Sequence, residues 1–442
     1  MAFETERARV AHLLRRAGFG SSEAELDSYT ALGFAATLDR LLNYEQVDDS
    51  AAEQQVATIQ IERRNVEAAR FAWLTRMLYT RRPLQEKMVL FWHTHFATAA
   101  SKVRSADLML QQLQLFRDNA LGNFESLLQQ VTRDPAMLVW LDNNQNRTGK
   151  PNENYAREVM ELFTVGIGNY TDADVKEAAR AFTGYGTNRD GQFAYSPDQH
   201  DGDDKTFLGV TKNWDADDIL ATLVRHPATP RFLTTKLFQF FVHDTPDPST
   251  IDRLAATYTN SGFDMRAVMR DLLTGPEFLS PDAFHAQVKQ PADLVIGALK
   301  ALNVQNVGPD LPQTTRRMGQ DLLNPPDVSG WKGGDNWISS STLLERFNFA
   351  DRLATARGPD QPYFVDVNGQ LLSHSLRSAA DVVDYYLGLL MDGAATTEAR
   401  QSLLDYLNAD GGFVVTPNDE VTEQKVRGML HLAMSLPNHQ LA

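Results

Sequence analysis

The chain has 442 residues, 43% of them hydrophobic and 22% charged, with 57 acidic against 42 basic side chains and a net charge of −15. That composition supports a sizeable buried core, and its acidic balance repels phosphate backbones, which argues against nucleic acid as a partner. Cysteine is absent, so disulfides, thiolate metal sites, iron–sulfur clusters and cysteine nucleophiles are excluded.

From the N-terminus, Met1 to Gly20 reads as a charged amphipathic helix without the apolar stretch of a signal peptide. The chain as written is therefore expected to be cytoplasmic, or exported if a signal has been removed from it. Ser22 and Glu25 have the spacing of a capping box that opens the next helix after the Gly18–Gly20 break. Ala51 to Tyr79 is a long periodic segment without Pro or Gly. Helices are predicted near 84–97, 105–119, 123–132, 153–165, 172–183, 216–225 and 230–242. Thr171 with Asp174 marks the start of the 172–183 helix, and Gly184 suits its end. Gln192–Tyr195 and Thr206–Val210, separated by a polar turn, suggest a small hairpin, and Tyr363–Val367 another short strand. The turn-rich run Asn324 to Gly334 reads as an ordered loop, and Gly358–Pro362 as a boundary before a C-terminal helical lobe. No run of 18 apolar residues is present, so no transmembrane segment is expected. The fold class is thus mainly α: a large multi-helix body over residues 1–357, carrying a small β-hairpin insertion, with a C-terminal helical lobe over 358–442.

Five segments carry chemistry. In Glu86 to His95, residues seven apart on a helix lie within about 20° of each other, so Glu86 and His93 share a face, whereas His93 and His95 differ by about 200°. A regular helix cannot therefore chelate one metal with both histidines; either the helix ends near Trp92 or only one of them belongs to a site. In Asn152 to Glu161, Asn154, Glu158 and Glu161 fall on one stripe with Arg157 beside it. That stripe offers hard oxygen ligands or paired carboxylates for acid–base work, or else a solvated face braced by Arg157 and Glu161. The amide-rich link Asp142 to Arg147, including Asn144, suits either a self-satisfied turn or a hydroxyl-rich ligand. His200-Asp201-Gly202-Asp203-Asp204-Lys205 lacks the closing Glu of a calcium loop. Trp331 and Trp337 either stack on a sugar or plug their glycine-rich loop, and the plug is the favoured reading. A phosphate-binding loop, a dinucleotide fingerprint, a His-Glu-x-x-His motif and a nucleophile elbow are all missing.

At these residues the chain resembles the bacterial family known as domain of unknown function 1800. The resemblance rests on Ala11-His12-Leu13-Leu14-Arg15-Arg16-Ala17-Gly18-Phe19-Gly20, Phe91-Trp92-His93-Thr94-His95-Phe96 and Pro151 to Thr164. Ala181-Phe182-Thr183-Gly184 and the Pro325-Pro326 to Trp331 loop continue it, with Tyr185 where a tryptophan would be expected. The resemblance implies a large helix-rich protein, often exported, with a sulfatase-like protein as the partner suggested by neighbouring genes. It supplies no catalytic residues.

Three functional expectations stand together at this point. The first is a hydrolase or group-transfer enzyme, with Asn154, Arg157, Glu158 and Glu161 catalytic. In it a divalent metal (Mg, Mn, Fe or Zn) would sit on Glu86, His93, His95 and Glu158, and Asn144, His200, Asp201 and Trp331 would meet substrate. The second is a non-catalytic binding or assembly protein in which the polar stripe is a buried network. The third is a carbohydrate-binding protein, which requires Trp331 and Trp337 flat and exposed.

Overall fold

The computed structural model describes residues 3–409 and 411–442. The fold is mainly helical, with two two-stranded antiparallel ribbons among the described residues. Helix ends follow local sequence closely. Ser22 and Glu25 form the expected capping box at helix Glu23–Leu32, and Thr171 with Asp174 forms another at helix Asp172–Ala181. The long segment from Ala51 divides into helices Ser50–Ala57 and Val66–Tyr79. Asn65 starts the second by accepting from the Ala68 N–H, an alternative that apolar periodicity alone does not reveal.

Buried apolar side chains form one core that runs from Val10 through to Met434. At its centre lies helix Pro83–His95, opened by a proline that loses no hydrogen bond at that position and buried at every residue except Thr94. Helix Ser340–Thr355 packs against helix Glu420–Ser435, so the C-terminal helices share this core. No helix among the described residues is long and apolar enough to cross a membrane.

Two strand expectations are corrected. Phe193–Tyr195 pairs with Tyr185–Thr187, and Lys205–Phe207 pairs with Val210–Lys212. The insertion is therefore two short ribbons, because each segment finds a nearer partner across its own tight turn. Tyr363–Val367 is not a strand; Asp366 instead caps helix Val367–Ser373 by accepting from the Gly369 N–H.

Candidate active site

The two histidines of the Phe91–Phe96 motif point apart, as helical geometry requires, since the helix continues through His95. His93 is fully buried between Trp73 and Trp331, with ring centroids 5.3 and 5.6 Å away. Neither of its ring nitrogens has a hydrogen-bond partner, and burial, reinforced by Arg70, pulls its pKa down to about 3. His93 is thus a neutral packing group. Glu86 accepts from Trp73 Nε1 at 3.2 Å and forms a two-point ion pair with Arg117, all of it closed to solvent. Its neighbour Lys87 is held by both carboxylate oxygens of Asp293 at 2.6 Å. These charges lock the central helix to its surroundings.

His95 has a different setting. Its Nε2 lies 3.1 Å from the carbonyl of Phe163, which can only accept, so Nε2 carries the proton and Nδ1 is left as a lone acceptor. Nδ1 is buried and has no partner. Burial, and then the positive charge of Lys236, holds the ring well below the usual histidine range. His95 is neutral throughout the physiological range.

The carbonyl that fixes His95 belongs to the second motif. Helix Asn154–Glu158 loosens at Glu158 into a π-helical turn, Val159–Phe163. Its last carbonyls lack partners within the helix, and two side chains from elsewhere take them. His95 binds the Phe163 oxygen, and Lys236 Nζ donates to the Leu162 oxygen at 2.9 Å. The motif therefore serves this site through its backbone. Its side chains lie elsewhere: Arg157 pairs with Asp172 at 3.1 Å and Glu153 at 3.4 Å rather than with Glu161. Glu161 accepts from the Tyr170 hydroxyl at 2.8 Å. Glu158 is half-buried, and its pKa is raised by burial and then by Glu161. The N–H of Asn154, first in its helix, donates to Asn152 Oδ1 at 3.0 Å.

A cleft of about 530 Å³ opens between the end of the central helix, helix Ala228–Phe241 and the loop carrying Trp331 and Trp337. His95 and Lys236 line it, with Phe91, Phe240, Gln239, Asp244 and Asn336. Helix Ala228–Phe241 turns Leu233, Leu237 and Phe241 into the core and sets Phe232, Lys236 and Phe240 on a second stripe at helical spacing. Arg16 of the first motif secures the end of this helix, donating to the carbonyls of Phe241 at 3.0 Å and Phe240 at 3.2 Å. Lys236 has no carboxylate partner among the described residues, and its ammonium lies 4.6 Å from the Phe232 ring centre. Burial lowers its pKa to about 8. The opposite wall is pinned by Gly330, whose φ of +79° is open to glycine and whose Cβ position is filled by the Thr94 carbonyl.

The remaining expected residues gather elsewhere. Asn146 accepts from the Asn152 N–H at 2.9 Å and donates to the Ala179 carbonyl at 2.8 Å, so the amide-rich link satisfies its own turn while Asn144 is exposed. Asp201 pairs with Arg180 at 2.7 Å, and His200 Nδ1 lies 3.0 Å from the Thr183 carbonyl. Asn144, His200 and Asp201 thus belong to the ribbon region, and of the four expected substrate residues Trp331 alone lines the cleft. Among the described residues no group of three His, Asp or Glu side chains is placed to hold a metal ion, so Glu86, His93, His95 and Glu158 are not gathered as ligands. Trp337 is only 6% exposed and Trp331 is packed on His93, which is the plug arrangement and not a flat stacking platform.

A family profile described as a protein of unknown function, DUF1800, matches residues 12–441, nearly the whole chain. The chain belongs to this family. No curated protein and no solved structure matches it. For this DUF1800 chain the motifs behind the resemblance now have physical roles. Arg16 closes one helix, the Trp92–Phe96 segment carries the two divergent histidines, the Pro151–Thr164 segment supplies carbonyls, and Gly330 seats the Trp331 loop. Lys236 was not among the residues singled out from sequence. Its signal was a lone lysine at i+4 from Phe232 and i−4 from Phe240 on an otherwise apolar stripe.

Proposed function

We propose that this chain is an enzyme of the group-transfer type, acting on a small polar molecule in the cleft lined by His95, Lys236, Trp331 and Trp337. One observation carries the reading: a histidine fixed in a single tautomer with a free Nδ1 shares a cleft with a lysine that has no carboxylate partner. In this role His95 accepts a proton at Nδ1, and Lys236, titrating near neutrality, donates or receives one. Carboxylate dependence enters through Asp244 on the cleft wall, while Glu161 ties the turn whose carbonyls hold both groups to Tyr170.

The test is an untargeted one. The chain is incubated with a fractionated small-molecule extract, and depletion of individual compounds is followed by mass spectrometry. Wild type is compared with His95→Gln and Lys236→Met, folding being checked by circular dichroism. A compound consumed by wild type and spared by both folded variants supports the cleft. Consumption that survives both substitutions moves the activity elsewhere in the molecule.

A further inference from the structure

We propose that Lys236 is a covalent amine nucleophile that captures the carbonyl carbon of an aldehyde or ketone in this cleft. The inference rests on the cleft reading above and adds the substrate class. Its basis is how Lys236 is held. The stem lies on an aromatic stripe between Phe232 and Phe240, the residue lines the cleft, and among the described residues the one hydrogen bond of its amine goes to the Leu162 carbonyl. A carboxylate would fix the lysine as an ammonium, whereas a neutral carbonyl holds it less strongly in that form and still accepts from the neutral amine. Losing the proton therefore costs Lys236 no contact, which is the condition a nucleophilic lysine needs.

The step balances without any other reactant. The neutral amine attacks the carbonyl carbon, forming a C–N bond as the C=O π pair moves onto oxygen, which takes up a proton. The resulting carbinolamine keeps its second amine proton; its hydroxyl takes up one further proton from solvent and leaves as water, giving a protonated imine. His95 lines the same cleft, and its Nδ1, buried and unpartnered, is assigned as the acceptor for the proton released from nitrogen. The protonated imine keeps one N–H, for which Leu162 O is the standing acceptor. Burial that lowers the amine's pKa to about 8 raises its neutral fraction at pH 7 far above that of an exposed lysine.

The experiment is reductive trapping on the intact chain. Acetaldehyde and cyanoborohydride are added at pH 7, and ethylated lysines are mapped and timed by peptide mass spectrometry. Lys236 is expected to be modified at least about tenfold faster than the exposed Lys150 and Lys176. His95→Gln is expected to slow labelling at Lys236 and leave Lys150 and Lys176 unchanged. Labelling of Lys236 no faster than the two exposed lysines overturns the proposal, and this comparison needs only the wild-type protein. Turnover that requires Lys236 without such labelling keeps the cleft as the site and removes the covalent step.

Discussion

Asp134 offers the sharpest test of the buried electrostatics. It caps helix Pro135–Trp140, and its Oδ2 accepts from the Met137 N–H at 2.9 Å and from Gln112 Nε2 at 2.7 Å. Its Oδ1 is buried without a partner, and burial pushes its pKa up to about 7 despite those two donors. The folded chain thus keeps a proton that the unfolded chain releases above 3.8. Stability is accordingly full below about pH 4, falls as pH rises towards about 7, and is level above that. Raising the carboxyl from 3.8 to about 7 amounts to a loss of roughly 4 kcal/mol. Asp134→Asn keeps the Oδ2-type acceptor for both donors and removes the titration, at the expense of an amide placed where Oδ1 has no partner, about 1–3 kcal/mol. The variant should therefore equal or trail wild type at pH 4 and exceed it by about 1–3 kcal/mol at pH 8. Urea midpoints for both proteins, measured every half unit across that range, give the difference directly. A wild-type-minus-variant difference that stays flat with pH would show that Asp134 is ionised in the folded chain, and the desolvation argument would be refuted.

Three further perturbations probe the region around the cleft. Glu86→Gln leaves Arg117 buried beside a neutral group and should cost about 3–5 kcal/mol in a denaturant titration; a loss below about 1 kcal/mol would mean the pair is solvated. Gly330→Ala forces a left-handed backbone and a Cβ into the Thr94 carbonyl, so the melting midpoint should drop and Trp331 fluorescence shift to the red as its loop lifts. An unchanged emission maximum with a lowered midpoint would place the strain away from the cleft. His93→Phe removes a ring held at a pKa of about 3 whose unfolded form titrates near 6.5. Wild-type stability falls as pH drops below about 6.5, and the variant should lack that part of the loss, so its advantage grows between pH 6 and pH 4. A constant difference across that interval would contradict the neutral packing role.

How much of this was legible in the sequence depends on whether a feature is local. The capping boxes at Ser22 and Thr171 and the divergence of His93 from His95 follow from spacing along one helix, and the structure has them as the sequence implies. What a polar side chain meets across the fold is set by partners far away in the chain. Glu86 lies 31 positions from Arg117, and His95 lies 68 from Phe163, so no window around the motif distinguishes a closed ion pair from a candidate ligand. The Asn154–Glu161 stripe has a further feature that spacing does not reveal: a π turn begins at Val159, while Glu161 still lies close enough to raise the Glu158 carboxyl. The same turn leaves the Leu162 and Phe163 carbonyls for Lys236 and His95, so the backbone of this conspicuous carboxylate motif positions the cleft while its side chains face other partners. A sequence reader who weighs side chains alone sees Glu158 and passes over Lys236, which lines the cleft with no motif around it.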